Sequence, residues 1–228
     1  MKKLCSVGIL MLLVSMLCAG TAFAYPQVYL KETGVNPGSS GSMTFPDYGT
    51  GGVLYGEYDL AIDWDMAGPQ GYVPISGFCV EDALSTSANG VIYELIPANT
   101  DGYKKAAWLF DQYLSGNSYA SAQATQLAIW EVVLETGSTY NVTTGTMHAN
   151  FTNTHTTNAN TLLGSINITG YTGYGSYRVA RSPVGQDDPP ANPQDYIIRV
   201  PEPATMLLIG TGLLGMAVIG RKKFFKKG

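Results

Sequence analysis

The sequence predicts an α+β domain lying between two terminal apolar segments, on three observations. Residues Val53 to Trp64 alternate apolar and polar side chains with the period of two of a half-buried strand. After Pro97 the apolar spacing becomes helical, and beyond Tyr171 strand-length apolar runs return. The terminal segments, Val7 to Leu17 and Ala204 to Gly220, are uncharged and apolar.

Taken in order, Lys2 and Lys3 precede the first apolar run, which closes on Ala22-Phe23-Ala24. That pattern predicts a helical signal peptide over 1–24 and a mature chain starting near Tyr25. Modification of Cys18 as a lipoprotein is disfavoured, because bulky Leu17 stands where a small residue is needed. Residues 25–52 are rich in Gly, Ser and Pro and read as a flexible lead-in, with Val28-Tyr29-Leu30 as one short strand. In the following strand Leu54, Tyr58, Leu60, Ile62 and Trp64 share one face, opposite Glu57, Asp59 and Asp63. Gly68-Pro69-Gln70-Gly71 is a turn, and Tyr72 to Val80 and Val91 to Ile96 are further strands, with Cys79 near a strand end.

Gly102 to Leu114 places Ala106, Leu109, Phe110, Tyr113 and Leu114 at helical spacing and stops at Ser115-Gly116-Asn117. Over Tyr119 to Glu135, Ile129, Trp130, Val133 and Leu134 fall on the side of Gln126, and Ala128 and Glu135 on the other. Gln126 is thereby expected on a buried face, and Trp108 and Trp130 in the core. Phe151, Ala159, Leu162 and Leu163 outline a poorer helix within Met147 to Ile166. Val179 marks a strand, Gln186 to Pro190 a loop, and Asp195 to Val200 a closing strand, so the main domain is expected over 53–200.

Seven of the 13 basic residues but only one of the 17 acidic ones lie in 1–24 and 201–228. The remainder has 6 basic and 16 acidic residues, a net charge of −10. Such a surface excludes nucleic acid as a partner, since phosphate neutralisation needs basic patches. Low charge with abundant Gly, Thr, Asn and Tyr suits a secreted β-rich domain. Cys5 and Cys18 lie in the signal segment, which leaves Cys79 as the one thiol of the mature chain. In an oxidising compartment that thiol must be buried, paired between chains, or used.

At the far end Pro201-Glu202-Pro203 precedes Ala204 to Gly220, and Arg221, Lys222, Lys223, Lys226 and Lys227 follow. Seventeen residues rise about 25 Å as a helix, enough for a short membrane span. The basic cluster would stay in the cytoplasm and place the domain outside. Residues 201–228 resemble the PEP-CTERM sorting signal of Gram-negative bacteria. The resemblance implies export, transient residence in the inner membrane, and processing by an exosortase near the Pro-Glu-Pro. The alternative is an ordinary tail anchor with a chance Pro-Glu-Pro.

A glutamine on a buried helical face needs hydrogen-bond partners for its amide. A thiol held against such an amide can attack its carbonyl, expel ammonia and leave a latent thioester that acylates an arriving amine or hydroxyl. Phe78-Cys79-Val80-Glu81 and Thr125-Gln126-Leu127-Ala128-Ile129-Trp130-Glu131 resemble the two motifs of the bacterial thioester domain of surface adhesins. The resemblance assigns the cross-link to Cys79 and Gln126 and implies a β-sandwich or barrel-like core with an inserted helical subdomain. It also implies a surface amine or hydroxyl of protein or exopolysaccharide as target, with no cofactor and no enzymatic turnover.

Other readings remain open at this point. Gln123 lies on the same helical side as Gln126, and the motif alone chooses between them. Cys79 could be an inert buried hydrophobe in a structural or carbohydrate-associated matrix protein, or pair between chains. A cysteine hydrolase would need His148 or His155 as base, and both sit in polar sequence without an orienting motif. Asp59, Asp63 and Asp65 lack the glycine and terminal glutamate of a calcium loop, so no metal site is expected.

Overall fold

In the computed structural model the described residues are 26–47, 49–66, 71–81, 90–137, 139–182 and 194–200. Among them seven strands form one antiparallel sheet: β1 (Gln27–Phe45), β2 (Gly49–Asp63), β3 (Val73–Cys79), β4 (Val91–Pro97), β5 (His148–Ala149), β6 (Tyr177–Arg181) and β7 (Tyr196–Arg199). The neighbours run β2-β3-β7-β6-β4-β1-β5, and β1 pairs again with β2. The ladder therefore returns on itself, which gives the sandwich-like core a barrel-like closure. Leu30, Leu60, Ile62, Leu95, Val179 and Ile197 are among the buried residues of these strands.

The segment 25–52 differs from the expected flexible lead-in. Gln27 to Leu30 pairs with β4, and β1 pairs with β2 from Tyr29↔Asp63 out to Phe45↔Gly49, making a long hairpin that projects beyond the barrel. Its Gly/Ser stretch is held by backbone pairing rather than by apolar burial. In β2, Tyr58, Leu60 and Ile62 face inward as expected, whereas Leu54 and Trp64 are exposed and Asp63 is buried. The alternation holds only where β2 has β3 beside it.

The three α-helices among the described residues, α1 (Asp101–Leu114), α2 (Ala122–Leu134) and α3 (Thr154–Ser165), all fall between β4 and β6, two strands that pair with each other. The helical part is thus an insertion, as expected. Thr100 and Ser121 cap α1 and α2 with side-chain oxygens, and Asn153 with Thr156 forms a capping box on α3. Helix α2 packs against α1, α3 and strands β1, β2 and β3. Gly102 allows the α1 contact, since a Cβ there would stand 2.9 Å from the Val132 carbonyl oxygen.

Every residue of α2 from Ala124 to Val132 is buried, so Ala128, expected on the side away from Gln126, is buried as well. An Ala-, Leu- and Ile-rich helix with little polar content suits a central position. Trp130 lies edge-on to Phe45, with ring centres 5.4 Å apart, and Trp108 is half-buried rather than core. Among the described residues no helix is long and apolar enough to cross a membrane. The expected signal helix and the span at 204–220 lie outside the described residues.

Candidate functional site

Strand β3 ends at Cys79, and its neighbours on the two sides end at different points. On one side Cys79 is paired with Tyr196 of β7, and Val80 N–H donates to the Asp195 carbonyl at 2.9 Å. On the other, the pairing with β2 stops at Tyr58↔Gly77, so no β2 residue stands opposite Cys79. The Gln126 side chain occupies that place. Cys79 N–H donates to Gln126 Oε1 at 2.9 Å, and Gln126 Nε2 donates to the Cys79 carbonyl at 2.8 Å. One amide thereby satisfies both backbone groups of a fully buried residue, as the next β2 residue would have done.

The thiol is enclosed. Cys79 Sγ donates to the Glu81 carbonyl at 3.0 Å, and Trp130 Nε1 donates to that same oxygen at 3.1 Å. Burial pushes the thiol up to about 12, and the nearby Glu81 and Asp195 carboxylates push in the same direction against the local hydrogen bonds. Phe78 turns to the opposite face and packs edge-on to Phe110 and Tyr113 of α1, while Gly77 leaves room where a Cβ would meet Leu60 and the Ile197 carbonyl.

One buried carboxyl, Asp195, flanks this centre, and a second, Glu131, lies further along α2. Asp195 accepts from Ser182 N–H at 2.8 Å, and its own N–H donates to Glu81 Oε2 at 3.1 Å. Burial raises it to about 7, with the Glu81 charge adding to the effect and Arg181 opposing it. Glu131, five residues beyond Gln126 and so on another side of α2, accepts from Asn141 N–H at 2.6 Å through Oε1, and its Oε2 has no hydrogen-bond partner. Burial raises it too, to about 7.

The arrangement suits one acyl exchange. Attack of Sγ on the Gln126 side-chain carbonyl carbon would place negative charge on Oε1, which already faces the Cys79 N–H. The thiol proton would leave with the Nε2 group as ammonia, so the exchange needs no outside reactant.

The structure brings Cys79 and Gln126 together and leaves Gln123, half-exposed, out of the site. His148 contacts the Gly145 carbonyl through its ring and His155 lies against Tyr55; neither is a hydrogen-bond partner of Cys79. Among the described residues no group of three or more His, Cys, Asp or Glu could hold a metal ion. Pro201, Glu202, Pro203 and the basic cluster from Arg221 to Lys227 lie outside the described residues. Sequence reasoning missed Asp195 and Glu131 as buried carboxyls, and it gave Trp130 only a core role. The position of Trp130 one turn after Gln126 was the available signal for its place at the site.

The end of the chain defines the class: this is an exported protein that is anchored transiently in the membrane and sorted through its carboxyl-terminal tail. Residues 199–223 match the PEP-CTERM protein-sorting motif, which makes an exosortase the processing partner. No match to the chain is found among curated proteins or among solved structures.

Proposed function

We infer that the domain is a covalent surface adhesin or matrix cross-linker, in which Cys79 and Gln126 form an internal thioester that an amine or hydroxyl of a neighbouring protein or exopolysaccharide opens. The observation that carries this reading is the two-point pairing of the Gln126 amide with Cys79. It brings the side-chain amide against the backbone of Cys79, whose thiol is buried, and both residues are shut off from solvent. Exclusion of water is what a latent thioester requires. Release to the cell surface through the sorting tail would bring it to its targets.

A second reading rests on the same contact. The amide replaces the missing β2 neighbour of Cys79, a sufficient structural reason for a buried glutamine, with the thiol as a small apolar filler. On that reading the protein is a non-reactive structural or carbohydrate-associated component of the extracellular matrix.

Intact mass of the purified domain separates the two. The thioester reading expects a mass short by one ammonia, the full mass in Cys79→Ala and in Gln126→Ala, and addition of methylamine with release of one titratable thiol. A full mass in the untreated domain, with a thiol that titrates after unfolding and no methylamine adduct, refutes it.

A further inference from the structure

The sorting motif begins inside the barrel. Its match starts at Arg199, the last residue of β7, and β7 is paired with β3 on one side and β6 on the other. Val200 is buried, and its N–H donates to the Ser176 carbonyl at 2.9 Å. Only Pro201, Glu202 and Pro203 then separate the fold from the apolar run that starts at Ala204. Three residues reach at most about 11 Å fully extended. The polar layer on each side of a bilayer is roughly 5 to 8 Å deep. As long as the tail spans the membrane, the end of the barrel from which β7 exits stays within about 6 Å of the headgroup layer even with these residues fully extended.

The strand registers identify that end. Ile198 is paired with Gly77, so the chain leaves toward the start of β3 at Val73. Val73 is paired with Ile62, which places the end of β2, and Trp64 just beyond it, at the same rim. Asp63 is paired with Tyr29, and Gln27 with Glu94, so the start of β1 and the end of β4 lie there too. Two of the exposed large apolar side chains, Trp64 at 40 % and Val73 at 49 % exposure, belong to this rim. Arg199 is exposed beside the exit, and the acidic residues of the same rim are Asp65, Glu94 and the buried Asp63. Tryptophan has an amphipathic ring that favours the headgroup level.

We propose that in the membrane-anchored precursor this rim is a lipid-contacting face, with Trp64 and Val73 set into the interface of a phospholipid bilayer and Arg199 among its phosphates. Cys79 occupies the opposite end of β3, six residues from Val73, or about 20 Å along the strand. The candidate site therefore points away from the membrane before the tail is processed. The proposal rests on the tail and the registers and is independent of whether a thioester forms.

The test uses the full chain labelled with 5-fluorotryptophan and reconstituted in vesicles of phosphatidylethanolamine and phosphatidylglycerol that carry a headgroup spin label. The Trp64 resonance is assigned with Trp64→Phe or, if that variant does not fold, by elimination with Trp108→Phe. Loss of the Trp64 fluorine signal is expected, while Trp130, buried and bonded to Glu81 at the far end, keeps its signal. A flexible spacer of about 20 Gly and Ser residues between Val200 and Pro201 should restore the Trp64 signal, since its coil dimension of roughly 25 Å adds to the about 11 Å that the native three residues reach at most. A Trp64 signal as strong as that of Trp130 overturns the proposal, and so does broadening that the spacer leaves unchanged.

Discussion

Replacing Cys79 by alanine removes the sulfur and leaves the backbone groups that bind Gln126, so the variant isolates what a bond between the two side chains contributes. A thioester between residues 47 apart closes a loop of that length. The chain-entropy relation for cross-links then gives about 4 kcal/mol of stabilisation for the intact bond. That is a large fraction of the roughly 5 to 15 kcal/mol typical of a domain. With a urea m-value of about 2 kcal/mol/M, the midpoint should fall by about 2 M in Cys79→Ala. The assay is urea unfolding followed by tryptophan fluorescence and far-ultraviolet dichroism, fitted for free energy, because a cross-linked unfolded chain exposes less surface and has a smaller m. Methylamine-treated wild-type protein should lose the same amount without any mutation. A loss in Cys79→Ala below about 1 kcal/mol, with no effect of methylamine, is what a merely buried thiol would give and refutes the cross-link.

Gln126→Glu keeps the shape of the side chain but cannot donate to the Cys79 carbonyl and has no ammonia to expel. It should show the full sequence mass and a loss of at least about 2 kcal/mol in the same unfolding assay. Glu131 ionises in the folded state only near pH 7, so the folded protein binds more protons than the unfolded chain from the ordinary carboxylate range up to that pH. Stability should fall as pH rises through this window, and Glu131→Gln should flatten the decline in midpoints measured from pH 4 to pH 8; parallel curves would contradict the assignment. Asp111 accepts from both Tyr171 and Tyr177 at 2.6 Å and so ties the 3-10 turn Gly173–Ser176 and β6 to α1. Asp111→Ala should cost about 2 to 5 kcal/mol, seen as a lowered thermal midpoint, and an unchanged midpoint would show these bonds to be dispensable.

Most elements were legible wherever apolar periodicity carried them: β2 along its paired length, α1, and α3 from Ala159, Leu162 and Leu163. Strand β1 was not. Its buried residues Val28, Leu30, Met43 and Phe45 form two short alternations at its ends, and the stretch between them is held by the β2 backbone, which leaves no mark in side-chain hydrophobicity. Helix α2 was found for a reason that only partly applies. Its apolar residues gave a helical moment, yet the helix is surrounded on all sides, so burial of Gln126 follows from the whole helix and not from one face. The pairing of Gln126 with Cys79 depends on where β2 leaves β3, a matter of register that one strand's sequence does not contain. The buried state of Asp195 and Glu131 was hidden for a related reason: their neighbours come from distant segments, Ser182 and Glu81 for the one and Asn141 for the other.

The closed ladder has a bearing on how copies of this protein can gather. The six strands of the closed ring have no terminal member to lend to a neighbour, and strand addition is the common route by which crowded β proteins aggregate. Among the described residues the open backbone lies in β5, two residues long, and in the outer reaches of the β1–β2 hairpin, which Gly34, Gly38, Gly41, Gly49, Gly51, Gly52 and Gly56 interrupt. Such stretches make poor templates for extension. A dense layer of these domains outside the cell would stay dispersed with respect to sheet growth, and its cohesion would have to come from side-chain contacts or covalent links between molecules.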